Sequence, residues 1–258
     1  MSAYYNEIDP FAAAWLRELI ADGLIAPGEV DERDIRDVQP AELAGFTQCH
    51  FFAGIGVWSF ALRRAGWPDE RPVWTGSCPC QPFSEAGQRR GFSDERHLWP
   101  FLRDLICEQA PPIFFGEQVA KNIDWLACVR GDLEALDYAV GCLPIEAASA
   151  GADNRRDRFW IVAHAQGIEA WPAKPGNRSG QTRAVGPDCA PPSGGRPSLC
   201  GRTYRLPEPG FQLLADGPAA ELALLWPLGN AINAEVASGF IEAVIDHLST
   251  PIREEIAA

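Results

Sequence analysis

The chain lacks any apolar run of about 18 residues, and its first residues do not join a basic segment to an apolar one. A membrane-spanning helix needs about 20 mostly apolar residues, and a secretory signal needs both segments. We therefore expect a cytoplasmic protein. With 258 residues, 47% of them hydrophobic, the chain is long enough for one sizeable domain with its own core.

Closely spaced cysteines are scarce. Eight cysteines are scattered along the chain, unlike the dense disulfide frameworks of small secreted domains. Cys78 and Cys80 stand close together in the stiff loop 77-SCPCQPFSEAG-87, where a metal clip, a disulfide and a nucleophile are the alternatives. The C-x-C spacing of this pair, with only four histidines elsewhere in the chain, does not favour a tetrahedral zinc site. We predict that the chain holds no zinc or other metal site.

Positive charge is also in short supply, since the net charge is −13. This excludes a protein whose whole surface binds nucleic acid. One segment differs, because residues 166–205 carry six basic and two acidic side chains. The segment is rich in glycine, proline and serine and shows no periodicity, so it is either a disordered insertion or a local contact region for DNA.

What the sequence does contain is a regular alternation of strand and helix patterns. Strands are predicted at 3–7, 34–38, 48–52, 72–77, 112–119, 137–147 and 158–165. Helices are predicted at 9–23, 57–66, 98–109 and 122–136 and in the last part of 220–248. This alternation predicts an α/β fold with a largely parallel sheet.

Several segments with chemical potential follow predicted strands. The turn 52-FAGIG-56, the loop 79-PCQPFS-84 and Glu117 each come at or after a strand end, and the carboxyl ends of parallel strands form the ligand-binding edge of such sheets. A thiol there suits nucleophilic attack, and a nearby carboxyl suits acid assistance. The alternatives are a sharp turn, a rigid loop with a buried thiol and, for 154-NRRDR-158, a solvated charged turn.

Taken together, these segments resemble the DNA cytosine-5 methyltransferase family. The matching segments are 52-FAGIG-56, 79-PCQPFS-84, 117-EQV-119, 154-NRRDR-158 and 229-GNA-231, in the family's order. The resemblance implies a Rossmann-like methyltransferase fold with S-adenosylmethionine as cofactor. It also implies methyl transfer to C5 of cytosine in double-stranded DNA by a monomer.

The resemblance implies a role for each matched residue. Cys80 would add to C6 of cytosine, Glu117 would donate a proton to N3, and Arg156 and Arg158 would hold the flipped base, while Cys78 would only pack. The cofactor would contact Phe52, Ala53, Gly54, Ile55, Gly56, Pro79, Asn230 and Ala231. The DNA would contact Gln81, Ser84, Arg178, Arg183 and Arg202.

Two segments of the chain resemble motifs of the family but stand at other places in the sequence. The family's cofactor turn is usually followed by a strand ending in an acid and then by an Asp-Ile step, but too few residues separate Gly56 from the next strand. The segments 5-YNEIDPFAAAWL-16 and 33-RDIRDV-38 resemble the missing pieces. We therefore predict a local permutation in which Glu7 holds the ribose, Ile8 packs on the adenine and Asp34 accepts a hydrogen bond from the exocyclic amine of the adenine. Ile35 would also contact the cofactor. The alternative is that residues 1–45 are a decorative extension.

The resemblance also divides the chain. Residues 1–165 and 220–258 would form the catalytic domain, with the C-terminal helix packing back on the sheet, and residues 166–219 would form a small irregular target-recognition region. Gln118 stands where the family usually has Asn, and His50 where it usually has an acid. Two other functions stay open, namely transfer of a different group from a modified S-adenosylmethionine and a catalytically silent DNA-binding relative.

Overall fold

The computed structural model describes residues 2–79, 98–120, 122–150, 157–165, 198–199, 202–203 and 231–249. The strands within this part of the chain are β1 (Ala3–Asn6), β2 (Gly28–Asp31), β3 (Gln48–Phe51), β4 (Val73–Gly76), β5 (Ile113–Val119), β6 (Tyr138–Glu146), β7 (Asp157–Ala165), β8 (Ser198–Leu199) and β9 (Arg202–Thr203). The helices are α1 (Pro10–Ala21), α2 (Val57–Arg64), α3 (Trp99–Gln109), α4 (Ile123–Ala135) and α5 (Ala234–Ser249).

Seven of the strands form one sheet in the order β2-β1-β3-β4-β5-β7-β6. The strands from β2 to β5 pair in parallel, whereas β7 runs antiparallel to both β5 and β6. The predicted α/β fold with a mainly parallel sheet is therefore confirmed. The short strands β8 and β9 pair with each other in a separate sheet.

Helices cover both faces of the sheet. Neighbouring side chains of one strand pack against different helix layers, because successive side chains point to opposite sides. Tyr4 packs in a cluster that includes residues of α3 and α4, and its neighbour Tyr5 packs against residues of α1. Phe114 and Phe115 divide in the same way between the α3–α4 layer and the α2–α5 layer. Burying each such side chain stabilises the fold by roughly 1.5–3 kcal/mol.

The N-terminal segment belongs to this core. Strand β1 lies between β2 and β3, and Tyr5, Leu16 and Ile25 are fully buried. Helix α1 begins where the sequence predicts, because the Asp9 carboxylate accepts the Ala12 N–H and Pro10 occupies the first turn. The alternative of a decorative extension is therefore wrong.

The strand predicted at 34–38 is wrong. Asp34 instead accepts the Arg36 N–H and begins the 3-10 turn Ile35–Asp37, while the strand forms earlier, at Gly28–Asp31. Pro27 and Gly28 have the composition of a turn, but glycine is needed there for a different reason. A Cβ atom at Gly28 would lie 2.0 Å from the Ala3 carbonyl oxygen of the paired strand.

Helix α5 returns the chain to the sheet and packs against α2. Val236, Phe240 and Ile241 join the cluster of Trp58 and Trp160. An exposed ion pair joins Arg64 of α2 to Glu235, with one N–O distance of 2.7 Å.

The division into a catalytic domain and a recognition region at 166–219 stays a prediction, because most of that region lies outside the described residues. None of the helices in the described part of the chain is long and apolar enough to cross a membrane.

A buried polar network lies within the sheet, on strands β3 and β4. His50 is 1% exposed and stacks on Tyr5 with ring centroids 4.9 Å apart. Its Nδ1 lies 2.9 Å from the Thr75 hydroxyl, and its Nε2 lies 3.3 Å from Gln48 Oε1. Because an amide oxygen can only accept, Nε2 carries the proton and Nδ1 accepts from Thr75. Burial lowers the pKa of His50 to about 3, so the ring is neutral near pH 7.

This network predicts a specific loss of stability in acid. The unfolded chain binds a proton at His50 near pH 6.5 and the folded chain near pH 3, so stability should fall as pH drops through this window. The contribution of one such group is at most about 1.4 kcal/mol per pH unit. Urea unfolding of wild type and His50→Asn between pH 7 and pH 5 should show a steeper loss for the wild type. Parallel losses would mean that His50 is protonated in the folded state.

Candidate functional site

A cavity of about 570 Å³ opens at the carboxyl ends of the parallel strands. This volume lies within the usual range of small-molecule sites, roughly 300–1,000 Å³. It brings together residues from the ends of four strands and from the segment before α5. The predicted residues in its wall are Glu7, Ile8, Asp34, Ile35, Phe52, Ala53, Gly54, Ile55, Pro79, Glu117, Arg158 and Ala231.

The turn after β3 bends sharply at the cavity wall. Phe52, Gly54 and Gly56 all have positive φ, at 53°, 55° and 80°. A Cβ at Gly54 would meet no atom within 4 Å, so the backbone there is open to a ligand. Gly56 differs, because a Cβ there would contact the Leu16 side chain at 3.0 Å. Gly56 therefore allows close packing against α1. The sequence predicts that Gly56 contacts the cofactor, but it is not among the residues that line the cavity.

Glu7 follows β1 and fastens this turn. Its Oε2 accepts the Gly54 N–H at 2.6 Å, and its Oε1 accepts the Asp9 N–H at 2.9 Å. The Ile8 N–H also interacts with this carboxylate. Because a carboxylate offers about four acceptor positions, acceptor capacity remains for a ligand. Burial raises the pKa of Glu7, and the hydrogen bonds from Asp9 and Gly54 act in the opposite direction. Further donors from a ligand would favour the ionised carboxylate.

Apolar and acidic side chains form the same end of the cavity. Ile8 is 61% exposed although it is a large aliphatic residue, and Ile35 contributes to the wall from the core below. Asp34 is engaged by Arg36, whose Nε and a terminal nitrogen lie 2.9 and 2.7 Å from its two carboxylate oxygens. These contacts lower the pKa of Asp34. One acceptor position on Oδ2 stays available.

The other end of the cavity holds an ion pair. Arg158 Nε lies 2.6 Å from Glu117 Oε1, and the side chains are only 20% and 9% exposed. Glu117 lies on β5 and Arg158 on β7, and the antiparallel register pairs Arg158 with Val119. A carboxyl and a guanidinium are therefore held in contact at low exposure, where charge–charge interactions are stronger than in water.

The last described residues of the cysteine loop also reach the cavity. Cys78 and Pro79 line its wall, and Cys78 is 7% exposed. Burial raises the pKa of the Cys78 thiol, which does not favour the reactive thiolate. The expectation that Cys78 only packs is consistent with this environment.

Some predicted site residues lie outside the described part of the chain, so the structure does not place them. They are Cys80, Gln81, Ser84, Arg156, Arg178, Arg183 and Asn230. Arg202 begins the short strand β9. In the described ranges, no group of three or more His, Cys, Asp or Glu side chains could hold a metal ion.

Other residues of the cavity wall were not predicted from the sequence. They include Asn6, Arg33, Trp58, Ser77 and Gln118. Trp58 Nε1 donates to the Ser77 hydroxyl at 3.0 Å and so ties α2 to the end of β4. Only their position in the sequence indicates these residues, because each stands in or next to a predicted strand end or turn.

The chain is similar to a protein family and to individual known proteins. A family described as "C-5 cytosine-specific DNA methylase" matches residues 4–183, which is more than half of the chain. Type II methyltransferase M.AplI of Arthrospira platensis is 36% identical over 104 residues, covering 39% of this chain and 30% of that protein. Type II methyltransferase M1.ScrFI of Lactococcus lactis subsp. cremoris is 33% identical over 100 residues, covering 36% and 25%. These alignments thus span less than a third of each relative's length.

A solved structure is also similar to the chain. A crystal structure of a Spodoptera frugiperda DNMT2 mutant covers 66% of this chain, and the match covers 44% of that protein. Its TM-score is 0.44 at 16% sequence identity.

The ion pair predicts measurable coupling between its two residues. Groups in direct contact show interaction energies of about 0.5–3 kcal/mol in double-mutant cycles. We expect the unfolding free energies of Glu117→Gln, Arg158→Met and the double variant to give a coupling of at least about 1 kcal/mol, because the pair is shielded from solvent. Additive effects in urea titrations would contradict the pairing.

Proposed function

The chain belongs to the C-5 cytosine-specific DNA methylase family, and on that premise we propose that it methylates C5 of cytosine in DNA. The observation that carries the proposal is the shared cavity at the carboxyl ends of the strands. It joins the Glu7 carboxylate and the open turn at Gly54 to the Glu117–Arg158 ion pair, and Pro79, the residue before Cys80, lies in the same wall. A methyl donor and a target base could therefore meet in one enclosed space.

The residues present fit S-adenosylmethionine as the cofactor. The Glu7 carboxylate keeps acceptor capacity for a ribose hydroxyl, and the exposed side chain of Ile8 offers an apolar surface for the adenine. The remaining acceptor position of Asp34 suits the exocyclic amine. The open backbone at Gly54 allows close approach of the rest of the molecule. When bound, this cofactor supplies an electrophilic methyl group on a sulfonium.

In the proposed reaction, the Cys80 thiolate forms a bond to C6 of cytosine. The electrons of the C5–C6 double bond move into the ring. Because Glu117 is ionised in the ion pair with Arg158, it first takes up a proton from water, and its carboxyl then donates that proton to N3, so that no full negative charge accumulates. Carbon 5 then takes the methyl group. Loss of the C5 proton to water, cleavage of the C6–sulfur bond and return of the N3 proton to Glu117 restore the neutral aromatic ring, the free thiolate and the protonated carboxyl.

Arg158 has a defined part in this scheme. When Glu117 gives its proton to N3, the guanidinium at 2.6 Å stabilises the carboxylate that is left behind. Arg156 precedes it by two residues, and we propose that it holds the base together with Arg158. A cytosine stacked within a duplex cannot enter this cavity, so we propose that the target base leaves the stack.

We propose that the substrate is double-stranded DNA in the cytoplasm and that the enzyme acts as a monomer. The acidic side chains of the described part of the chain offer little attraction to phosphates. We therefore assign the phosphate contacts to the basic segment 166–205, through Arg178, Arg183 and Arg202. Gln81 and Ser84 would contact the DNA from the cysteine loop. A recognition region this small suits a short or degenerate recognition sequence.

The proposed nucleophile predicts two opposite outcomes for two neighbouring cysteines. Cys80→Ser should abolish methyl transfer and leave cofactor binding nearly unchanged, because the thiol is not part of the cofactor contacts. Cys78→Ser should keep most activity. DNA with 5-fluorocytosine at the target should trap the wild type as a covalent adduct, since fluorine cannot leave as a proton does. The adduct would be detected by denaturing electrophoresis.

The outcomes separate the alternatives. Methylation without trapping would exclude covalent attack through Cys80. Binding of DNA and cofactor without any product would indicate a silent DNA-binding relative. An adduct or product with a mass other than that of a methyl group would indicate a modified donor.

The proposed ribose contact predicts a loss of affinity that depends on the ligand's hydroxyls. Hydrogen bonds to a charged group contribute about 1.5–3 kcal/mol each, so Glu7→Ala should weaken binding of S-adenosylmethionine roughly tenfold or more in calorimetric titration. An analogue without the ribose 2′-hydroxyl should lose less affinity on the same substitution. Glu29→Ala, an exposed acid on neighbouring β2, is the matched control and should bind normally. Equal losses for both ligands would mean that Glu7 acts only by fastening the turn.

A further inference from the structure

Gln118 is a buried polar residue to which the proposed reaction gives no role. It follows Glu117 on β5, is 1% exposed and lines the cavity. Its Nε2 donates to the main-chain carbonyl of Cys78 at 3.3 Å, and its Oε1 accepts the Val119 N–H at 2.9 Å. One side chain therefore links the strand that carries the acid to the start of the cysteine loop.

The position of the accepting carbonyl matters. The Cys78 carbonyl belongs to the peptide group that joins Cys78 to Pro79, and a peptide group is planar. A hydrogen bond to its oxygen therefore restrains the whole plane. The proline ring then locks the next torsion, φ of Pro79, near −65°. Only ψ of Pro79 separates the restrained plane from the backbone nitrogen and Cα of Cys80.

We infer that Gln118 is a positioning residue for the nucleophile, an inference that rests on the proposed function. By holding the Cys78–Pro79 peptide against β5, it sets the distance between the Cys80 thiol and the Glu117 carboxyl, which must act on the same cytosine ring. Small displacements of reacting groups have large effects on rate. Gln118 acts through the backbone and needs no contact with the base.

The Gln118 side chain differs in length from the residue that is usual in the family. The family usually has Asn at this position, and Gln is longer by one methylene. Gln118 Oε1 accepts the Val119 N–H of its own strand, and Nε2 of the same amide donates to the loop. The chain thus uses an amide that reaches the Cys78 carbonyl directly.

The test compares Gln118→Met with the wild type. Methionine has a similar length and no N–H donor, so the fold and cavity shape should be kept. We expect the rate of tritium release from 5-tritiated cytosine in DNA, and kcat for methyl transfer, to fall at least tenfold. The KM for DNA and the Kd for S-adenosylmethionine should change by less than about threefold.

Gln48→Met is the matched control. Gln48 is equally buried in the same sheet, but its Nε2 donates to the carbonyls of Pro68 and Asp69, away from the cavity. It should lower stability without changing kcat. A wild-type kcat for Gln118→Met would overturn the inference, and so would a parallel loss of kcat and cofactor affinity. If the wild type forms neither product nor adduct, the proposed function fails and the role of Gln118 fails with it.

A second variant separates hydrogen bonding from packing. In Gln118→Glu the side chain has the same shape, but it can donate to the Cys78 carbonyl only when the carboxyl is protonated. Burial and the adjacent Glu117 favour protonation, and Arg158 on β7 opposes it. The ratio of variant to wild-type kcat should rise as pH is lowered from 8.5 to 6.5. A ratio that is independent of pH would contradict a role for the donated hydrogen bond.

Discussion

The parallel pairing of β1 with β3 is the constraint on which the site depends. Its register sets Asn6 opposite Phe51, so that the residues after each strand, Glu7 and the turn at 52–56, emerge side by side. The hydrogen bond from Gly54 N–H to Glu7 then joins them at 2.6 Å. Without this pairing the carboxylate and the open backbone would not share a cavity. Since strands need not be neighbours in the chain to pair, the acid can precede the turn in sequence and still lie beside it.

The same edge of the sheet is stiffened by polar contacts between elements. The Glu117–Arg158 ion pair joins β5 to β7, Trp58 and Ser77 join α2 to the end of β4, and Gln118 reaches the cysteine loop. Buried polar groups are costly unless they are hydrogen-bonded, so each contact restricts its segment to one arrangement. These contacts hold together the described part of the cavity wall, and such fixed contacts contribute to a preorganised site.

Much of the fold could be predicted because local signals agree with the tertiary structure. The strand–turn–helix unit at 48–66 and the Asp9–Pro10 helix start have their cause in nearby residues. The strand at 28–31 could not be predicted in this way, since its glycine is required by contact with Ala3, a residue far away in sequence. Gly56 was assigned to the cofactor because motifs do not show which side of a turn packs on a helix. The contact of Gln118 could not be predicted because its partner is the main-chain carbonyl of Cys78, which no sequence pattern marks.

The central claim is that the chain adds a methyl group to C5 of cytosine in DNA. Mass spectrometry of nucleosides from the DNA of cells that express the wild-type protein tests it most directly, with Cys80→Ser as the reference. The account predicts 5-methyl-2′-deoxycytidine above background with the wild type and none with the variant. Unmodified cytosine in both samples, or the same level of modification in both, would contradict it.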